Sequence, residues 1–189
     1  EAGHLNLGAG RVVMQDAVLI SNAIEDGTFF KNTAFIEALK HVKKYGTKVH
    51  LMGLVSTGNS PHASMDHLYG LLELCRRQDV GDVRLHLFTD GRDGPRFAAT
   101  ELVHEIESRL RPGERIASLM GRFYPMDRNK NWNRLDLAYH AIVNGQGVSA
   151  PSAEAGLLAA YNRGETDEFI VPTVVTDRDH RPIGTVGDN

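Results

Sequence analysis

Short apolar runs alternate with segments whose apolar positions fall three and four apart along most of this 189-residue chain. Phe35, Ile36, Leu39 and Val42 predict a first helix, followed by KVHLMGLV, residues 48–55, as a buried strand. Leu68, Leu71, Leu72 and Cys75 lie at i, i+3, i+4 and i+7, so the spacing predicts a helix over 64–78 with Ser64 as its N-cap. VRLHLF, residues 83–88, is the next strand. Leu102, Val103, Ile106 and Leu110 mark a helix that stops at Arg-Pro-Gly, and RIASLM, residues 115–120, is a third strand. Trp132, Leu135, Tyr139 and Ile142 carry a further helix ending near Gly145. PSAEAGLLAAYNRG, residues 151–164, reads as a short helix with Pro151 or Ser152 at its start and Gly164 past its end. FIVPTVV, residues 169–175, is a last strand, and Pro172 places it at a sheet edge or a bulge.

Strand, helix, strand, helix, strand is the order of βαβ crossovers. It predicts an α/β fold whose largely parallel sheet carries helices on both faces. No internal repeat or low-complexity tract interrupts the pattern, so residues 1–189 are expected to form a single domain. Residues 1–30 are glycine-rich and resist assignment, and the polar stretch 176–189 reads as a loop or hairpin. Both ends look like connections to something longer.

In open α/β sheets the loops at the carboxyl ends of parallel strands gather on one edge and form the ligand crevice. Three such loops follow the first three strands: STGNSPHASMDH, TDGRDGPR and GRFYPMDRNK. If the strands are neighbours, His62, Arg92, Asp93, Arg122 and Arg128 converge on one edge. The guanidinium fork matches carboxylate and phosphate oxygens two at a time, so three arginines suit a small ligand that carries both groups. Asp93 among them should be ionised and able to accept a hydroxyl proton. Gly91 and Gly94 permit the sharp turn that presents Arg92 and Asp93. Taken singly, each feature has a plainer explanation. Arg92 beside Asp93 is also what a solvated turn with a surface ion pair looks like, and His67 is the fallback should His62 point away. His50, His86, His104 and His140 fall inside predicted strands or helices and are read as structural.

Composition narrows the partners. Lys plus Arg number 21 against 24 Asp plus Glu, for a net charge of -3, which gives no basic field for nucleic acid or an anionic membrane. No apolar run approaches membrane-spanning length, and the start shows no signal-peptide pattern. The single cysteine, Cys75, cannot form an internal disulfide and fits a reducing cytoplasm. GHLNLGAGR is glycine-rich but lacks the lysine and spacing of a phosphate loop.

GHLNLGAGRVVMQD, LMGLVS, DGRD, GRFYPMDRNKNW and TDEFIVPTVV, in this order and over nearly the whole chain, resemble the cofactor-independent phosphoglycerate mutases. The resemblance implies their phosphotransferase (substrate-binding) domain, an α/β module inserted in a phosphatase-like metal domain of the alkaline phosphatase superfamily. Residues 1–30 and 176–189 would then be truncated connecting segments to that metal domain. The family interconverts 3-phosphoglycerate and 2-phosphoglycerate through a phosphoserine, with two Mn2+ or Mg2+ ions and no bisphosphoglycerate. It implies a cytoplasmic, monomeric enzyme with a small-molecule substrate. Position by position, its substrate-binding histidine falls on His62, its Arg-Asp pair on Arg92 and Asp93, and its next arginines on Arg122 and Arg128. Asp93 takes the role of acid and base. The loop ahead of His62 is one residue longer than the family's and carries Pro61, while Arg96 stands where the family has proline. The resemblance also places the catalytic serine just ahead of Glu1, two further substrate arginines after Asn189, and the metal ligands elsewhere, so this chain alone is expected to be inactive. A non-catalytic anion-binding cap on another phosphatase or phosphomutase, and a purely structural domain, are the other two readings.

Overall fold

The computed structural model describes residues 2–58 and 60–188; Glu1, Asn59 and Asn189, which belong to the quoted start, the loop after the first strand and the chain end, lie outside the described residues. The elements run α1 Ala2–Ala9, α2 Asp16–Glu25, α3 Thr33–Tyr45, β1 Val49–Val55, α4 Met65–Arg77, β2 Val83–Thr89, α5 Ala99–Arg109, β3 Glu114–Gly121, α6 Trp132–Asn144, β4 Val148–Ala150, α7 Ala153–Asn162 and β5 Thr173–Val175. They build one five-stranded sheet in the order β1-β2-β3-β5-β4. β1 with β2, β2 with β3, and β4 with β5 are parallel, and β3 with β5 is antiparallel. The α/β class and the mostly parallel sheet are those the alternating pattern predicts.

Alternation along the strands divides the core in two. Leu85 and Leu87 of β2 and Leu119 of β3 face a cluster that takes in Leu39 of α3, Leu72 and Cys75 of α4, Val103 and Ile106 of α5, and Leu157 of α7. On the opposite face, Met120 and Val174 meet Ala138, Ala141 and Ile142 of α6. Helices therefore cover both faces, α6 on one and α3, α4, α5 and α7 on the other.

Four expectations change. β1 is an edge strand rather than a fully buried one, and its Met52 is 54% exposed. β5 lies between β3 and β4 instead of at an edge, and it starts after Pro172, so the missing proline N–H is never needed by the ladder. The Pro172 carbonyl instead accepts the Val148 amide at 2.9 Å. In α6 only Ile142 of the predicted stripe is packed: Trp132 is 64% exposed, Leu135 and Tyr139 are exposed too, and the small Ala138 and Ala141 bring the helix close to Met120. Residues 2–9 and 16–25, left unassigned by periodicity, are helical, with Leu5, Leu7, Val18 and Leu19 exposed. Ser64 sits at the start of α4 in extended conformation but makes no side-chain cap bond, whereas Ser152 caps α7 through the Ala155 amide. The segment after β5 returns across α6, and the Ile183 carbonyl accepts Arg84 Nε at 2.8 Å.

A polar row runs across β1, β2 and β3. His86 is wholly buried on β2, with Nδ1 2.7 Å from Ser118 Oγ and Nε2 2.9 Å from His50 Nδ1. Burial, reinforced by the neighbouring His50, lowers the His86 imidazole to about 4, so it is neutral in the fold. The unfolded chain binds a proton there below about pH 6.5, so folding stability should fall by about 2 kcal/mol between pH 7 and pH 5. Urea unfolding at the two pH values measures this. In His86→Gln the pH difference should shrink, and an undiminished difference would assign it to other groups.

Candidate functional site

β1, β2 and β3 are adjacent and parallel, so the residues that follow them meet at one edge. Ser56 follows β1, Asp90 follows β2, and Arg122 follows β3. Beyond this row a cavity of about 390 Å³ opens, lined by His62, Arg92, Asp93, Arg122 and Arg128 together with Asp127, Arg134 and Glu168. All five residues singled out from the sequence thus border the same space. His67, the fallback, hydrogen-bonds Ser21 of α2 through Nε2 at 3.0 Å and does not line this cavity. Arg96 is exposed outside it and contributes its carbonyl to the Asp167 amide.

The TDGRDGPR loop is folded by its first aspartate. Asp90 Oδ1 accepts the amides of Arg92 at 3.2 Å and Asp93 at 3.0 Å, the geometry of an aspartate-initiated turn. Gly91 takes a left-handed φ of 63°, and a Cβ there would stand 2.5 Å from the Glu168 amide nitrogen. Glycine is required because the loop packs directly on the 166–169 segment. That segment is held in turn by Asp167, whose carboxylate accepts the Ala98 and Ala99 amides at the start of α5 and the Tyr161 hydroxyl. Thr89 Oγ1 donates to the Asp167 carbonyl at 2.6 Å.

One guanidinium joins two carboxylates here. Arg122 Nη1 lies 2.7 Å from Asp90 Oδ1 and 2.6 Å from Asp93 Oδ2. Ser60 Oγ also donates to Asp93 Oδ2, at 3.2 Å. Arg122, through its hydrogen bond, holds the Asp93 carboxyl below the usual range, so it is ionised at neutral pH. Burial by itself would raise Asp90, but bonds from Ser56, the Asp93 amide, Arg122 and the Arg92 amide outweigh it and hold it down to about 2. Arg92 and Arg128 form no ion pair among the described residues, so the cavity presents two uncompensated cations.

Sequence reasoning passed over Asp90, although it stands inside the quoted loop; an acidic residue immediately beyond a buried strand was the available signal. It also missed Arg134, in the first turn of α6, which pairs with Asp127 at 3.3 Å and stacks on Phe123 with Cζ 3.8 Å from the ring centre. Its position one helical turn past the third loop was the clue. Asp127 accepts the Asn129 and Asn131 amides and so shapes the loop that carries Arg128. Among the described residues no group of three or more His, Cys, Asp or Glu is placed to hold a metal ion.

An α/β domain with a cationic cavity at the carboxyl ends of three parallel strands is the class that fold and site define. The chain belongs to the family described as BPG-independent PGAM N-terminus (iPGM_N), whose model matches residues 20–189. It is 45% identical over 192 residues to the 2,3-bisphosphoglycerate-independent phosphoglycerate mutase of Acetivibrio thermocellus, covering 100% of this chain and 37% of that protein. With the enzyme of the same name from Chloroflexus aggregans it shares 49% identity over 191 residues, 100% of this chain and 35% of the relative. The chain thus spans little more than a third of the length of these relatives. Its fold superposes on Leishmania mexicana phosphoglycerate mutase, solved at low cobalt concentration, with a TM-score of 0.86 and 27% identity over 94% of this chain and 34% of that one.

Proposed function

We propose that this chain is the substrate-binding part of a metal-dependent phosphoglycerate mutase, which interconverts 3-phosphoglycerate and 2-phosphoglycerate through a phosphoserine. The observation that carries the reading is the pair Arg92 and Arg128, which form no ion pair among the described residues, facing the same cavity as the ionised Asp93. Family membership supplies the reaction. Arg92, Arg122 and Arg128 bind the carboxylate and phosphate oxygens of the glycerate, and His62 donates from the loop after β1. Arg122 and Ser60 both engage Asp93 Oδ2, which leaves Oδ1 to accept the proton of the substrate hydroxyl. The deprotonated oxygen forms the new O–P bond as the serine O–P bond breaks, and Asp93 returns its proton to a glycerate oxygen in the reverse transfer.

The phosphorylated serine belongs to the rest of the longer protein, which residues 1–30 and 176–189 connect to this domain. The described residues offer no ligand set for the two Mn2+ or Mg2+ ions of the resemblance, so no step here runs through them. The longer protein acts in the cytoplasm as a monomer on a small-molecule substrate, in glycolysis and gluconeogenesis. No helix among the described residues is long and apolar enough to cross a membrane.

The test is to express the longer protein and follow 3-phosphoglycerate by 31P NMR with divalent metal and no bisphosphoglycerate. Appearance of 2-phosphoglycerate is expected. Release of inorganic phosphate without isomerisation would replace this reading with that of a cap domain on a phosphatase.

A further inference from the structure

Asp90 accepts four hydrogen bonds at the strand ends, yet it has no part in the reaction just described. It is 4% exposed, and the four groups that donate to it come from three loops: Ser56 after β1, the Arg92 and Asp93 amides in its own loop, and Arg122 after β3. Both of its oxygens are engaged, so it has little capacity left for a ligand. It touches the cavity only through Arg122 and the turn that bears Asp93.

The geometry points to Asp90 as the positioning residue of this site: it anchors Arg122 independently of Asp93, so that Asp93 can give up its share of the arginine when it takes a proton. This rests on Asp93 being the proton carrier of the proposed reaction. Two carboxylates share the positive charge of one guanidinium through a single Nη1 atom, whose two N–H bonds serve both. Were Asp93 alone on Arg122, the ion pair would hold Asp93 ionised and resist its protonation. With Asp90 as a second, better-fixed acceptor, Arg122 stays in place whichever protonation state Asp93 adopts, and the like charge of Asp90 opposes that of Asp93. The other polar and charged groups bordering the cavity are the imidazole of His62 and the guanidinium of Arg92 from the first two loops, Asp127 and Arg128 from the third, Arg134 from α6, and Glu168 from the segment before β5.

The titration can be read without substrate, by 13C NMR of the aspartate carboxyls in this chain. On acidification Asp93 is expected to take its proton before Asp90 does. In Asp90→Asn, an isosteric change that keeps an acceptor for the turn amides, Arg122 is left to Asp93 alone, and the Asp93 midpoint should fall by about 0.5 pH unit or more. The same variant in the longer protein should lower kcat about tenfold and move the acidic limb of its pH profile to lower pH by a similar amount. A purely structural Asp90 would reduce activity without moving the limb. An Asp93 midpoint that stays or rises in the variant overturns the proposal. So does an unmodified chain in which Asp90 protonates first, a result that needs no variant to fold. A longer protein that does not isomerise phosphoglycerate would remove the function and leave these titrations to decide the role of Asp90 on their own.

Discussion

Asp93→Asn in the longer protein should lower mutase turnover by about 10²- to 10⁴-fold, the range that removal of a positioned general base costs. The substitution keeps the shape of the side chain and an oxygen for Arg122 and Ser60, so the loop should persist. What it removes is the acceptor proposed for the hydroxyl proton. The pH dependence has a definite sign. The hydrogen bond from Arg122 holds Asp93 below the ordinary carboxylate range, so the base is present through neutral pH and is lost as pH falls through that lowered value. In the unmodified enzyme the acidic limb of kcat/KM should therefore lie below an ordinary aspartate. Substrate KM should change much less than kcat, because the arginines that border the cavity are untouched. Retention of activity within threefold by the asparagine variant would remove Asp93 from the proton-transfer step.

Legibility of the fold follows the length and burial of each element. β2 and β3 announce themselves because they are central in the sheet and nearly every side chain is buried. α4 and α5 are read from single apolar stripes facing one cluster. β4 and β5 have three residues each, too few for any period, and the antiparallel placement of β5 between β3 and β4 depends on long-range pairing that leaves no local mark. α6 misleads for a different reason. Large apolar residues at helical spacing suggest the core face, but close approach to Met120 and Val174 favours alanine, and Trp132 and Tyr139 are left outside.

The site was legible in a more selective way. Charge recurring after three successive strands identifies the cavity, because parallel βαβ order puts those loops side by side. His62, Arg92, Asp93, Arg122 and Arg128, which border the cavity, stand out by that recurrence. Asp90 and Asp127 do not, since their work is to accept backbone amides and hold an arginine, and an aspartate in a turn already has an ordinary explanation. Which of two aspartates three residues apart faces the cavity is set by the left-handed turn at Gly91. The sequence permits that turn but does not specify its direction.

Arg122→Gln should show how strongly the two carboxylates depend on their shared cation. Removing it leaves Asp90 buried and charged, with Ser56 and two amides as its remaining partners. Loss of one partner of a buried pair costs about 3 to 5 kcal/mol when nothing else compensates. The surviving donors bring the expectation at neutral pH to about 2 kcal/mol. Asp90, held down to about 2 against an ordinary 3.8, contributes stability that is present above the ordinary value and lost as pH falls through the lowered one. Without Arg122 that depression is smaller, so the gap between wild type and variant should be widest at pH 7 and close toward pH 2. Urea unfolding at both ends of the range measures it. An equal loss at every pH would mean that the guanidinium acts by packing rather than by charge. In the longer protein the same change should lower kcat/KM for phosphoglycerate by about 10²-fold, as expected for a charge-assisted contact to an anionic substrate. Stability and activity should then respond differently to added salt. The Arg122–Asp90 pair is buried and weakly screened, whereas Arg92 and Arg128 are exposed, and the proposed encounter of an anionic substrate with them should weaken as ionic strength rises.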